Sequence, residues 1–98
     1  MRLRLARRAY TDLDEIRTYS RLRWGTARTK RYLAVVDIVI KRACEAPYVF
    51  PEVADRPTHR KAHAGQHFII FRVDYEADVL NVVRILHERM DIDAQLDS

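Results

Sequence analysis

The sequence predicts an α+β domain, ordered β-α-α-β-β-β, with a helix hairpin packed on one face of an antiparallel sheet. Three observations predict it. Around Thr11 to Glu45 apolar residues recur every three to four positions, and from Arg60 onward every two. Gly25 and Gly65, the only glycines, fall at joints of that pattern. Pro47, Pro51 and Pro57 crowd the segment where the period changes. At 98 residues the chain is one domain, 1–98, with a small core.

Arg2 to Leu5 alternates basic and apolar residues, as a short half-buried strand does. Leu13, Ile16, Ser20 and Trp24 then share one helical face. Asp12, Asp14 and Glu15 fall in its early turns, where the helix dipole favours negative charge. Gly25 stops this helix and Thr26 can cap the next, from about Ala27 to Glu45. Its apolar face is Leu33, Val36, Ile40 and Ala43. Val35 to Ile40 could be mistaken for a strand, but Asp37 and Lys41 stand four apart on the opposite face, as an ion pair on a helix does. Pro47 to Pro57 reads as an ordered loop tacked down by Tyr48, Val49 and Phe50. Lys61 to His63, His67 to Asp74 and Val79 to Leu86 read as strands, joined by turns at Gly65-Gln66 and Glu76-Ala77-Asp78. The expected core is Leu13, Ile16, Trp24, Leu33, Val36, Ile40, Ile69, Phe71 and Val83.

Composition bounds the function. A hydrophobic fraction of 48% and a charged fraction of 33% are those of a soluble globule. No run approaches the roughly 18 apolar residues of a membrane span, and the N-terminus lacks a signal peptide's apolar region. A cytoplasmic location is expected. The single cysteine, Cys44, excludes an internal disulfide and a multi-cysteine zinc site. A net charge of +4 points to an acidic partner, protein or nucleic acid. Arg2, Arg4, Arg7 and Arg8 read as a solvated face, with phosphate binding as the alternative.

His59, His63 and His67 are spaced by four, but they fall across two strands and a turn, with no carboxylate or cysteine among them. No metal or other cofactor is expected. Metal-free RNA cleavage needs a base, an acid and cations beside the phosphate. Arg72, Arg84, His87 and Arg89 are the candidates, with Lys61 and His63 nearby. Alternation in a regular strand sends Arg84 with Val82 and Leu86, and His87 with Val83 and Ile85, to opposite faces. Arg72 can join Arg84, but two arginines without a base make an anion patch. No catalytic residue is therefore assigned.

AGQHFIIFRVD followed by VVRILHERMD resembles the ParE toxins of bacterial type II toxin–antitoxin modules, in the RelE/ParE superfamily. AYTDLDEI and WGTARTKRYL resemble that family's first half. The resemblance implies a helix hairpin on an antiparallel sheet and no enzymatic activity. It also implies a ParD-like ribbon-helix-helix antitoxin as partner and DNA gyrase as target, with no sequence-specific DNA binding by the toxin alone. The alternative is a RelE-like ribosome-dependent mRNA endoribonuclease, although the tail after Arg84 lacks that branch's tyrosine. Two helices and a small sheet leave a second sheet face bare. Phe68, Ile70, Val82 and Leu86 are therefore expected to be covered by an antitoxin segment whose carboxylates meet Arg60, Arg72 and Arg84. His87, Arg89 and Met90, in the tail His87-Glu88-Arg89-Met90-Asp91, are the expected target-recognition residues.

Overall fold

The computed structural model describes residues 1–97. Its elements are β1 (Arg2–Leu5), α1 (Arg7–Trp24), α2 (Thr26–Glu45), a 3-10 turn (Pro47–Val49), β2 (Glu52–Val53), β3 (Arg56–Ala64), β4 (His67–Asp74), β5 (Val79–His87) and α3 (Ile92–Leu96). The α+β class and the order of the principal elements are those expected. One residue makes the hairpin. Gly25, at φ +86°, closes α1 by donating its N–H to the Arg21 carbonyl. Its own carbonyl accepts the Thr29 N–H and hydroxyl, which opens α2. The cap position of α2 is thus Gly25, not Thr26. Asp37 and Lys41 form the expected pair at 2.9 Å. Helix α1 begins five residues before Asp12, so no acid lies in its first turn.

The sheet has five strands in the order β1-β5-β4-β3-β2. It is mixed, which corrects the expectation of an all-antiparallel sheet: β1 runs parallel to β5, pairing Arg2 with Val79 and Leu5 with Val82. The proline-rich segment also holds more order than a loop. Asp55, at φ +62°, turns the chain so that Glu52–Val53 pairs with β3, which starts at Arg56. Aspartate tolerates this left-handed geometry better than most residues. Lys61 to His63 is only part of that longer strand.

On the helix side, Ile16, Val36, Ile40 and Ala43 pack against Ile69, Phe71, Leu80, Val82 and Ile85, with Leu13 and Leu33 at the margin. Two expected core residues sit elsewhere. Trp24 lies at the exposed hairpin tip, 39% accessible, because α1 outruns the sheet there. Val83 packs on the opposite face. The cause is a register slip: Ile70 faces Arg84 while Phe71 faces Val82, leaving Val83 as an extra residue. A bulge of this kind reverses the alternation beyond it. Val82 therefore belongs to the helix side, and Ile85 joins it there.

The second face is not bare either. Helix α3 returns across it and lays Ile92 and Leu96 on a cluster of Val53, Ile70 and Leu86, with Phe68 and Val83 beside them. The chain supplies its own partial cover, fastened by ion pairs from Arg56 to Asp93 and Asp97. An Asp91 side-chain cap on the Ala94 N–H starts the helix.

Candidate functional site

β1 pairs with β5 only as far as Val82. Beyond it the edge of β5 would present bare backbone groups, and α1 places Asp12 there. Asp12 accepts the Ile85 N–H at 2.9 Å and holds the Arg84 guanidinium in a two-point bond of 2.9 and 3.1 Å. Both side chains are nearly inaccessible, at 8% for Asp12 and 11% for Arg84. Geometry of this quality is what a buried ion pair requires, since desolvation otherwise outweighs the attraction. The hydrogen bonds from Arg84 to Asp12 hold the arginine's pKa above its ordinary value, against the opposing effect of burial. Arg84 also reaches the Gln95 carbonyl of α3 at 3.4 Å.

Beside this pair lies a cleft of about 620 Å³, walled by Ile16, Tyr19 and Trp24 of α1, Tyr32 of α2, and His67, His87 and Met90. Tyr32 bolts α2 to the β3–β4 turn: its hydroxyl accepts the Gln66 N–H at 2.8 Å and lies 2.6 Å from His67 Nδ1. A Cβ on Gly65 would meet the Tyr32 ring at 2.6 Å, so the turn admits only glycine without rearrangement. Burial, then the neighbouring His87, push the His67 pKa below its ordinary value. The phenol O–H faces two acceptors, the Ala64 carbonyl at 3.3 Å and His67 Nδ1, and the imidazole tautomer decides between them. Burial raises the Tyr32 pKa, in keeping with that donor role. The His67 and His87 rings meet edge-on, 5.4 Å apart. A mainly apolar cleft with a few fixed polar edges has the make-up of a ligand-binding pocket.

Of the RNA-cleavage candidates, Arg84 and His87 both line the cleft, which corrects the expectation that alternation sends them to opposite faces, while Arg72 and Arg89 stand outside it. Arg84 is consumed by Asp12, and Arg72 is an exposed residue paired with Asn81 on the second face. His87 lines the cleft, its Nδ1 accepting the Arg89 N–H at 3.2 Å, and Arg89 is exposed. Of the expected antitoxin contacts, Ile70, Val82 and Leu86 are fully buried within the chain. Arg60 is held by the Phe50 carbonyl at 2.6 Å. Half-buried Phe68 and exposed Arg72 remain accessible. Sequence reasoning missed Asp12, Tyr32 and His67 as site residues. A signal for Asp12 existed: with Ala9, Ile16 and Ser20 it falls on the buried row of α1. Among the described residues no group of three or more His, Cys, Asp or Glu side chains could hold a metal ion. Among the described residues no helix is long and apolar enough to cross a membrane.

The fold and site define a small α+β domain, a helix hairpin on a mixed sheet with the buried Asp12–Arg84 pair engaged internally. The family model described as the ParE toxin of the type II toxin-antitoxin system, parDE, matches residues 3–92. A toxin ParE1 of Caulobacter vibrioides is 34% identical over 94 residues, covering 95% of each chain. A toxin ParE1 of Mycobacterium tuberculosis is 37% identical over 89 residues, covering 90% of each. A solved structure described as a chromosomal ParDE TA system from P. aeruginosa superposes with a TM-score of 0.75. It covers 89% of this chain and 95% of that one, and at 19% identity the likeness concerns the fold. The chain belongs to the ParE toxin family of parDE toxin–antitoxin systems.

Proposed function

We propose that this toxin arrests growth by binding DNA gyrase rather than by cutting RNA, and that a ParD-like ribbon-helix-helix antitoxin neutralises it. The observation that carries the non-enzymatic part is the locked Arg84: one edge of its guanidinium is held at two points by Asp12, and it cannot turn to a phosphodiester without leaving that carboxylate buried and unpaired. The antitoxin part rests on family membership and on the +4 charge, which suits an acidic partner. His87, Arg89 and Met90, beside the cleft, serve as the target contacts. Phe68 and Arg72 serve as antitoxin contacts on the second face, where an amphipathic segment can fold as it binds.

Expression of the chain alone tests this reading. Filamentation with a DNA-damage response is expected, abolished by Arg89→Ala with Met90→Ala and prevented by the antitoxin encoded beside it. Codon-phased mRNA cleavage lost in His87→Ala would overturn it and move the chemistry to the Tyr32–His67–His87 cluster.

A further inference from the structure

From Ile16 to Val36 the chain carries six cations, Arg17, Arg21, Arg23, Arg28, Lys30 and Arg31, and no Asp or Glu. The hairpin folds this stretch onto itself at Gly25, so the cations ring the joint between α1 and α2. All six are exposed. Arg17 pairs with Asp14 at 2.8 Å. The other five form no ion pair among the described residues. Two are held over aromatic rings: Arg28 lies 4.9 Å from the centre of Trp24, and Arg23 lies 6.0 Å from that of Tyr19. The two rings meet edge to face at 5.9 Å. A guanidinium stacked on a ring has lost much of its freedom while its N–H edge still points outward.

From this cluster we propose that the hairpin tip is a sequence-independent contact for the phosphate backbone of duplex DNA. Bare cations at this density repel one another, and a polyanion relieves that repulsion while releasing its own counterions. The side chains favour phosphate: five of the six are arginine, whose planar fork grips two oxygens at once. Their arrangement disfavours two other occupants. A membrane surface needs a continuous apolar face, whereas here Leu22, 84% accessible, sits between Arg21 and Arg23. A protein partner needs a desolvated apolar centre with charges at its rim, and the apolar residues here are interleaved with the charges. The inference does not depend on gyrase being the target.

The test is fluorescence anisotropy of the full chain with a labelled duplex of about 20 base pairs in low salt, where non-specific complexes are strongest. Binding should weaken by roughly ten- to a hundred-fold between 50 and 200 mM salt, the response of about two to four phosphate contacts. Arg21→Glu with Arg31→Glu should abolish it, and the milder Arg21→Gln with Arg31→Gln should weaken it and flatten the log–log salt slope by about two, as loss of two such contacts predicts. The charge-matched Lys41→Glu with Arg42→Glu, at the far end of α2, should retain it within about three-fold. Equal losses in the tip and control variants would reduce the effect to net charge and overturn the proposal. So would tighter binding to poly-glutamate, or to vesicles rich in phosphatidylserine, than to the duplex at the same salt.

Discussion

Arg84 and Arg56 each bind a carboxylate system far along the chain, and each tethers a piece of backbone to the sheet. Their surroundings differ. Arg84 meets Asp12 with both groups almost fully enclosed, and the same carboxylate takes the Ile85 N–H. Arg56 meets Asp93 and Asp97, which are 57% and 67% accessible, one within a five-residue helix and the other at its C-cap. Water competes for the second system and hardly for the first. One arginine is therefore built into the fold, while the other only latches a terminal segment to it.

The largest effect that would break this contrast is Asp12→Ala. It leaves a buried guanidinium and a strand-edge N–H unpartnered, and a loss of about 3–5 kcal/mol is expected in urea denaturation. A loss below about 1 kcal/mol would place the pair in the same class as an exposed one. Asp12→Asn sharpens the point, since the amide oxygen can still accept the Ile85 N–H; it should fall between parent and alanine variant.

Acidification probes the same enclosed side by another route. Because the folded pKa of His67 is depressed, the unfolded chain takes up the proton first as pH falls. The stabilisation is complete above about pH 6.5, the ordinary histidine value, and is lost as pH drops through that value toward the folded pKa. Melting temperatures at pH 7.5 and 5.5 should differ less in His67→Gln than in the parent; an unchanged difference would show that His67 does not carry the effect. The smallest global effect belongs to Arg56→Ala. Its melting curve should overlay that of the parent, while amide exchange at Gln95 and Leu96 quickens as α3 detaches.

Much of this was legible from the sequence because it is local. The period of apolar residues located both long helices, Gly25 marked the joint between them, and Gly65 marked the β3–β4 turn. What stayed hidden depends on distant residues. Asp12 and Arg84 stand 72 positions apart, and although Asp12 shares a row with Ala9, Ile16 and Ser20, nothing near it names its partner. The single extra residue at Val83 cannot be seen in an apolar run such as VLNVVRIL, yet it moves Val82 to the other face and undoes the assignment of a shared surface. Helix α3 is too short to have a helical period of its own, and isolated helices of its length are not stable in water. It exists because Ile92 and Leu96 find Ile70 and Leu86.

The parallel pairing of β1 with β5 has a consequence for synthesis. Among the described residues β1 has its one sheet neighbour in residues 79–82, which are synthesised long after it. At about 5–20 residues per second, Arg2 to Leu5 wait roughly 4–15 s for that neighbour. Until then the apolar sides of α1 and α2 lack the strand that supplies Leu80, Val82 and Ile85. A fragment ending before Val79 would keep its helical sequence but lose both β1 and β5 from the sheet, and Asp12 would have no arginine to hold. The molecule is therefore late-closing: a ribosome stalled before that point carries a chain in which neither the β1–β5 pairing nor the Asp12–Arg84 pair can yet form.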